Sequence, residues 1–337
     1  MTERLPHGGN LTKAEAEYGR PQNGWLDLST GINPMPYPVG RIDPKFWHRL
    51  PDQADLHVLL LAARQAYGIA GQAGVVAAPG TQAIIQALPR LFAKCTVAVV
   101  GPTYAEHELC WRAAGHETRI CHTLTAATGS DIAVVVNPNN PDGREIPGPE
   151  IVAAARHMAA KGGLLVVDEA FADCRPEIGV CGQSAITGMI VLRSFGKFYG
   201  LAGARLGFAV GDRDVTIRLE TALGPWAVPG PTLAIATQAL GDDQWRTKTL
   251  RRLLKDTAAL DGVLSQCGLS IIGGTPLFRL CETVNGADLY GGLAAQGILV
   301  RIFSERPQWV RFGLPANGDD LARLRDSLEN LATNSTS

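Results

Sequence analysis

Leu164-Leu165-Val166-Val167-Asp168-Glu169-Ala170-Phe171 runs four apolar residues into a carboxylate. An unbroken apolar run of strand length reads as a strand buried on both faces, the habit of parallel sheets flanked by helices. The same texture repeats outward from it. Strand-length apolar runs at 75–78, 96–100, 132–136, 189–193 and 206–210 alternate with helical stretches at 81–92, 104–114 and 149–160. That alternation predicts an α/β fold, a three-layer large domain around a mostly parallel sheet. Ligands on such sheets bind at the carboxyl ends of the strands, and Asp168 stands at one.

Beyond residue 211 the pattern changes. Helices are expected at 212–223 and 231–267, short strands at 270–272, 277–280, 299–302 and 309–312, and a last helix at 318–332. This predicts a smaller α/β C-terminal domain over 231–337, joined through the Pro/Gly-rich segment 224–231 to a large domain over 40–230. Residues 1–39, rich in Gly and Pro, are expected to be an arm that packs over the site and the small domain rather than forming core.

A net charge of −1 gives no global field toward nucleic acid or an anionic membrane. No apolar run is long enough to span a bilayer. Residues 1–9 show neither an apolar signal core nor twin arginines, so a cytoplasmic address is expected. The seven cysteines include no Cys-x-x-Cys pair, and the seven histidines show no metal-ligand spacing. Reduced thiols and no metal are the expectation.

Five motifs carry chemistry, each at a predicted strand end or helix start. Ser194-Phe195-Gly196-Lys197 follows a strand and precedes Arg205. A lysine in such a site is a nucleophile once its pKa is lowered, and a hydroxyl with a guanidinium suits a phosphate ester. Asp168 at a buried strand end needs a partner, either a cationic ring nitrogen or the amide of a helix it caps. Asn137-Pro138-Asn139-Asn140-Pro141-Asp142-Gly143 fixes a tight loop that presents the Asn140 amide. Pro79-Gly80-Thr81-Gln82 places backbone N–H groups at a helix start, an anion cradle. Tyr104, opening another helix, offers a ring to a flat ligand or to the core.

As an ordered set these motifs resemble the fold-type I pyridoxal phosphate enzymes of the class I/II aminotransferase superfamily, over almost the whole chain. The resemblance implies pyridoxal phosphate as cofactor and a homodimer as assembly. It makes Gly80, Thr81 and Gln82 the phosphate loop, Tyr104 the stacking ring and Asn140 the donor to the ring oxygen. Asp168 becomes the partner of the ring nitrogen, Lys197 the Schiff-base lysine, and Ser194 with Arg205 the phosphate clamp.

Within the superfamily, His7-Gly8-Gly9-Asn10, the stretch from Leu26 to Pro34 that includes Asn33, and Asp168-Glu169-Ala170-Phe171 resemble the L-threonine O-phosphate decarboxylases of cobalamin biosynthesis. Many aminotransferases carry Tyr where Phe171 stands. Histidinol phosphate aminotransferases are the nearest competitor, and a non-catalytic module such as a regulator's effector domain is a third class. A decarboxylase must grip the far end of a phosphorylated substrate, for which His7, Asn33, Arg144, Arg301 and Arg311 are the candidates. The sequence departs from the pattern at Leu50, where many relatives have a Tyr that reaches the neighbouring subunit's cofactor phosphate.

Overall fold

The computed structural model describes residues 8–334. They divide into two compact units, one of residues 36–140 and 144–247 and one of residues 8–35, 141–143 and 248–334.

The larger unit is built on seven strands: β1 (Gly74–Ala78), β2 (Thr96–Val100), β3 (Glu117–Cys121), β4 (Ile132–Val136), β5 (Leu164–Asp168), β6 (Met189–Ser194) and β7 (Gly207–Gly211). Their order across the sheet is β1-β7-β6-β5-β4-β2-β3. Only β7 runs against its neighbours, and every other pairing is parallel. The expected mostly parallel sheet is therefore present. Every residue of β4, β5 and β6 is buried, which is why they read as continuous apolar runs. Val97, Val99, Val134, Val166, Ile190 and Leu192 pack with Trp111 and Leu219 in one core. Each such aliphatic side chain contributes about 1.5–3 kcal/mol by leaving water.

Several elements differ from expectation. β3 carries exposed Glu117 and Arg119 at the sheet edge, so it lacks an apolar run. The helix expected at 81–92 is Thr81–Ala87 followed by a 3₁₀ turn, Leu88–Leu91, because Pro89 has no N–H to continue the α pattern. The helix expected at 231–267 is two, Gly230–Leu240 and Asp243–Gln266. The carboxylate of Asp242 accepts the Trp245 N–H at 2.9 Å and starts the second.

The smaller unit holds an antiparallel sheet of β8 (Ser270–Thr275), β9 (Phe278–Glu282), β10 (Arg301–Phe303) and β11 (Arg306–Gly313), in the order β10-β11-β9-β8. The strand expected at 299–302 breaks at Val300. Its first part, Ile298–Leu299, pairs in parallel with Leu26–Asp27. Leu26 and Leu28 are buried, so this stretch enters the core of the smaller unit and the reading of residues 1–39 as wholly outside any core is corrected there. Among the described residues no helix is long and apolar enough to cross a membrane.

Candidate active site

The larger unit gathers its chemistry at the carboxyl ends of β5 and β6 and at the turns beside them. Asp168 closes β5 and is 3% exposed. Its Oδ1 accepts the Ala170 N–H at 3.0 Å, and its Oδ2 lies 2.8 Å from His107 Nε2. The imidazole N–H has a carboxylate to donate to, which sets both the ring and the carboxylate. His107 projects from the helix Glu106–Ala113 and is 1% exposed. Its ring meets that of Tyr104 edge to face, with centroids 6.1 Å apart.

From Tyr104 the network continues to the turn after β1. The Tyr104 hydroxyl donates to Gln82 Oε1 at 3.1 Å, and Gln82 Nε2 donates to Glu106 at 2.8 Å. Burial, with Glu106 and Asp168 nearby, pushes the Tyr104 phenol up to about 12, so it stays protonated. The Gln82 side chain thus orients Tyr104. Beside it, a Cβ added to Gly80 would lie 2.7 Å from Arg205 Nη2, and one added to Gly207 would lie 2.5 Å from the Thr81 nitrogen. Glycine at both positions lets guanidinium and backbone amides converge. Arg205 has a left-handed backbone with φ 49°, a conformation costing a non-glycine residue roughly 1–2 kcal/mol. Strain of that kind is characteristic of functional sites.

Ser194 ends β6 as a buried residue, and the single turn Phe195–Phe198 that follows carries Lys197. Lys197 Nζ stands 5.8 Å from the centre of the Phe171 ring. The loop after β4 is tied by Asn139, which accepts from the Thr103 hydroxyl at 2.6 Å and donates to the Pro102 carbonyl at 2.8 Å. The next residue, Asn140, is half-buried. Arg144 closes that loop with its carbonyl, which accepts the Asn139 N–H at 2.8 Å.

The smaller unit carries the other candidates. Arg301 on β10 and Arg311 on β11 are direct cross-strand partners. Burial, with the Arg301 charge opposite, pulls Arg311 down to about 9, so it is still a cation at neutral pH. Its Nη2 donates to the Ser29 carbonyl at 3.0 Å, and its guanidinium lies 5.0 Å from the centre of the Phe278 ring. Asn33 Oδ1 accepts from Arg252 Nη2 at 2.5 Å, and Arg252 is itself held by Asp256 at 2.6 Å. His7 lies outside the described residues. Leu50 is 66% exposed on the larger unit.

Sequence reasoning missed His107 and Arg252. No spacing in the sequence marks His107, which stands in the first turn of the helix Glu106–Ala113, just after Tyr104. Among the described residues no group of His, Cys, Asp and Glu is placed to hold a metal ion.

The profile of the family described as Aminotransferase class I and II matches residues 53–326. The chain is 42% identical to a threonine-phosphate decarboxylase of Sinorhizobium sp., covering 97% of this chain and 98% of that protein. It is 43% identical to a threonine-phosphate decarboxylase of Pseudomonas aeruginosa, covering 96% and 97%. A histidinol-phosphate aminotransferase of Shewanella amazonensis is 29% identical over 73% of each chain. Among solved structures, histidinol-phosphate aminotransferase from Sinorhizobium meliloti in complex with pyridoxal-5'-phosphate superposes with a TM-score of 0.80 at 19% identity, covering 97% of this chain and 96% of that one. That last likeness is one of fold.

Proposed function

The chain belongs to the class I and II aminotransferase family, and from that membership we propose that it is a pyridoxal phosphate-dependent lyase. In this proposal it decarboxylates L-threonine O-phosphate to aminopropanol phosphate for cobalamin biosynthesis, working as a homodimer. One observation carries the choice of reaction. The relatives bearing the decarboxylase name are 42% and 43% identical over nearly their full length, whereas the histidinol-phosphate aminotransferase is 29% identical over 73%.

The residues present fit pyridoxal phosphate: the space kept by Gly80 and Gly207 is a cradle that a Cβ would fill, and the buried Asp168 is a counter-charge for a cationic ring nitrogen. When bound, the cofactor supplies a conjugated ring that accepts the electron pair of the bond broken at the substrate's α-carbon. Asp168, steadied by His107 and the Ala170 N–H, would keep the ring nitrogen protonated. The Gly80, Thr81 and Gln82 turn, Ser194 and Arg205 would hold the phosphate, Tyr104 would stack on the ring, and Asn140 would donate to the ring oxygen. Phe171 has no donor to offer that oxygen. Lys197 Nζ would be the point of attachment, and afterwards the group that returns a proton to the α-carbon. Losing carbon dioxide requires the bond to the carboxylate to stand perpendicular to the ring. A grip on the substrate's phosphate would enforce that pose, and Arg311 with Arg301 is the pair we assign to it, with His7, Asn33 and Arg144 as further candidates. Leu50 cannot make the cross-subunit phosphate contact that a tyrosine makes in many relatives.

The test supplies L-threonine O-phosphate and histidinol phosphate separately to the cofactor-loaded protein and measures carbon dioxide and amino transfer. Carbon dioxide without amino transfer is expected. Amino transfer without carbon dioxide would return the chain to the aminotransferase reading.

A further inference from the structure

A group of buried charges lies behind the strand ends that carry Asp168 and Ser194. Successive strand residues point to opposite faces of a sheet. Asp168 pairs in register with Leu192, and the Glu169 N–H donates to the Leu192 carbonyl at 2.9 Å. Glu169 and Arg193 therefore turn together to the face opposite Asp168 and Ser194. There Arg193 Nη1 lies 2.9 Å from Glu169 Oε2, and Arg193 Nη2 lies 2.8 Å from Asp173 Oδ1. All three residues are buried. The Val180 N–H donates to the other Glu169 oxygen at 2.6 Å, and the Arg193 guanidinium lies 4.4 Å from the centre of the Tyr67 ring.

Two carboxylates on one guanidinium in a dry interior is not an economical way to stabilise a fold, since well-packed apolar residues of similar volume do as well or better. The arrangement does fix geometry. Glu169 directly follows Asp168, Arg193 directly precedes Ser194, and Asp173 is the middle residue of the short 3₁₀ turn Ala172–Cys174 after Phe171. Arg193 donates from Nη1 to Glu169 and forms an ion pair with Asp173 through Nη2, and the rigid guanidinium plane fixes these two contacts relative to each other, which an ammonium on a flexible stem does not.

We propose that Arg193 is a positioning residue for the reaction: through Glu169 and Asp173 it sets, from the rear of the sheet, the spacing of Asp168, Phe171, Ser194 and Lys197 on the front. The proposal rests on the pyridoxal phosphate reading.

Two variants test it. Arg193→Lys keeps the charge and removes the fork, and Asp173→Asn removes one anchor while preserving volume. Both are purified, checked for fold by circular dichroism, and loaded with pyridoxal phosphate. The readouts are the cofactor dissociation constant, the pH titration of its visible band, and turnover per bound cofactor. The expected result is weaker cofactor binding, a displaced titration of the band, and a loss of roughly tenfold to a hundredfold in turnover per bound cofactor. Variants that melt at a lower temperature yet match the parent in affinity, band titration and turnover per bound cofactor would overturn the proposal. Should Arg193→Lys not fold, Asp173→Asn decides on the same readouts. A parent protein that develops no band with pyridoxal phosphate would instead remove the reading on which the proposal rests.

Discussion

Asp168 is held from two sides, by His107 and by the Ala170 N–H, and removing the carboxylate differs from removing its support. Asp168→Asn leaves the shape and deletes the charge, so turnover at saturating cofactor should fall on the order of a hundredfold or more. His107→Asn leaves the charge and loosens it, and supporting groups of this kind are typically worth roughly tenfold to a hundredfold. The two rates, measured with cofactor saturating, should rank in that order; a His107 variant slower than the Asp168 variant would contradict the assigned roles. Lys197→Ala should abolish both the visible cofactor band and turnover while the far-ultraviolet circular dichroism stays intact, and a variant that kept band and turnover would remove Lys197 from the mechanism. Asp168 stood out in the sequence because it ends an apolar run, where a polar residue must have a reason, and Ser194 and Lys197 because they follow closely on another such run. His107 was not, because its partner is 61 positions away and a lone histidine within a helix has no diagnostic spacing. The bond between Arg252 and Asn33, across 219 positions, was hidden for the same cause.

At the level of elements, legibility followed burial. β2, β4 and β5 matched their predicted bounds because a strand inside the sheet is apolar over nearly its whole length. The edge strand β3 was invisible because solvent permits Glu117 and Arg119, and the break at Asp242 was overlooked because one carboxylate cap inside a long helical pattern is a weak signal. The cap at Asp212 is stronger and makes a prediction. Its Oδ1 accepts the Asp214 N–H at 3.0 Å and the Val215 N–H at 3.1 Å, and its Oδ2 accepts the Gly188 N–H at 2.9 Å. These bonds start the helix Arg213–Leu223, which sends Leu219 into the core, and join it to the turn before β6. Asp212→Ala should lower stability by about 1–2 kcal/mol, read as a lower urea midpoint with unchanged slope. Turnover per folded molecule should stay at the parent value; a parent-like urea midpoint would show that the cap contributes nothing.

For the molecule as a whole, fold and reaction are separate questions, because this architecture hosts more than one chemistry and its likeness to a histidinol-phosphate aminotransferase says nothing about which bond breaks. Binding energy from the non-reacting end of the substrate is what an enzyme spends on orientation. If the phosphate supplies it here, plain L-threonine should be a very poor substrate even at saturating concentration, with turnover reduced along with affinity. Arg311→Ala should reproduce that defect for L-threonine O-phosphate. A dianion deprived of a buried cationic partner loses about 3–5 kcal/mol, more than a hundredfold in kcat/KM. The same variant should show little further loss with plain L-threonine, since the missing arginine has no phosphate to hold. That non-additivity is the decisive measurement, made as carbon dioxide release from both substrates by both proteins. Equal proportional losses on the two substrates would mean that Arg311 grips the carboxylate common to them, and the phosphate grip would then pass to another of the candidate cations.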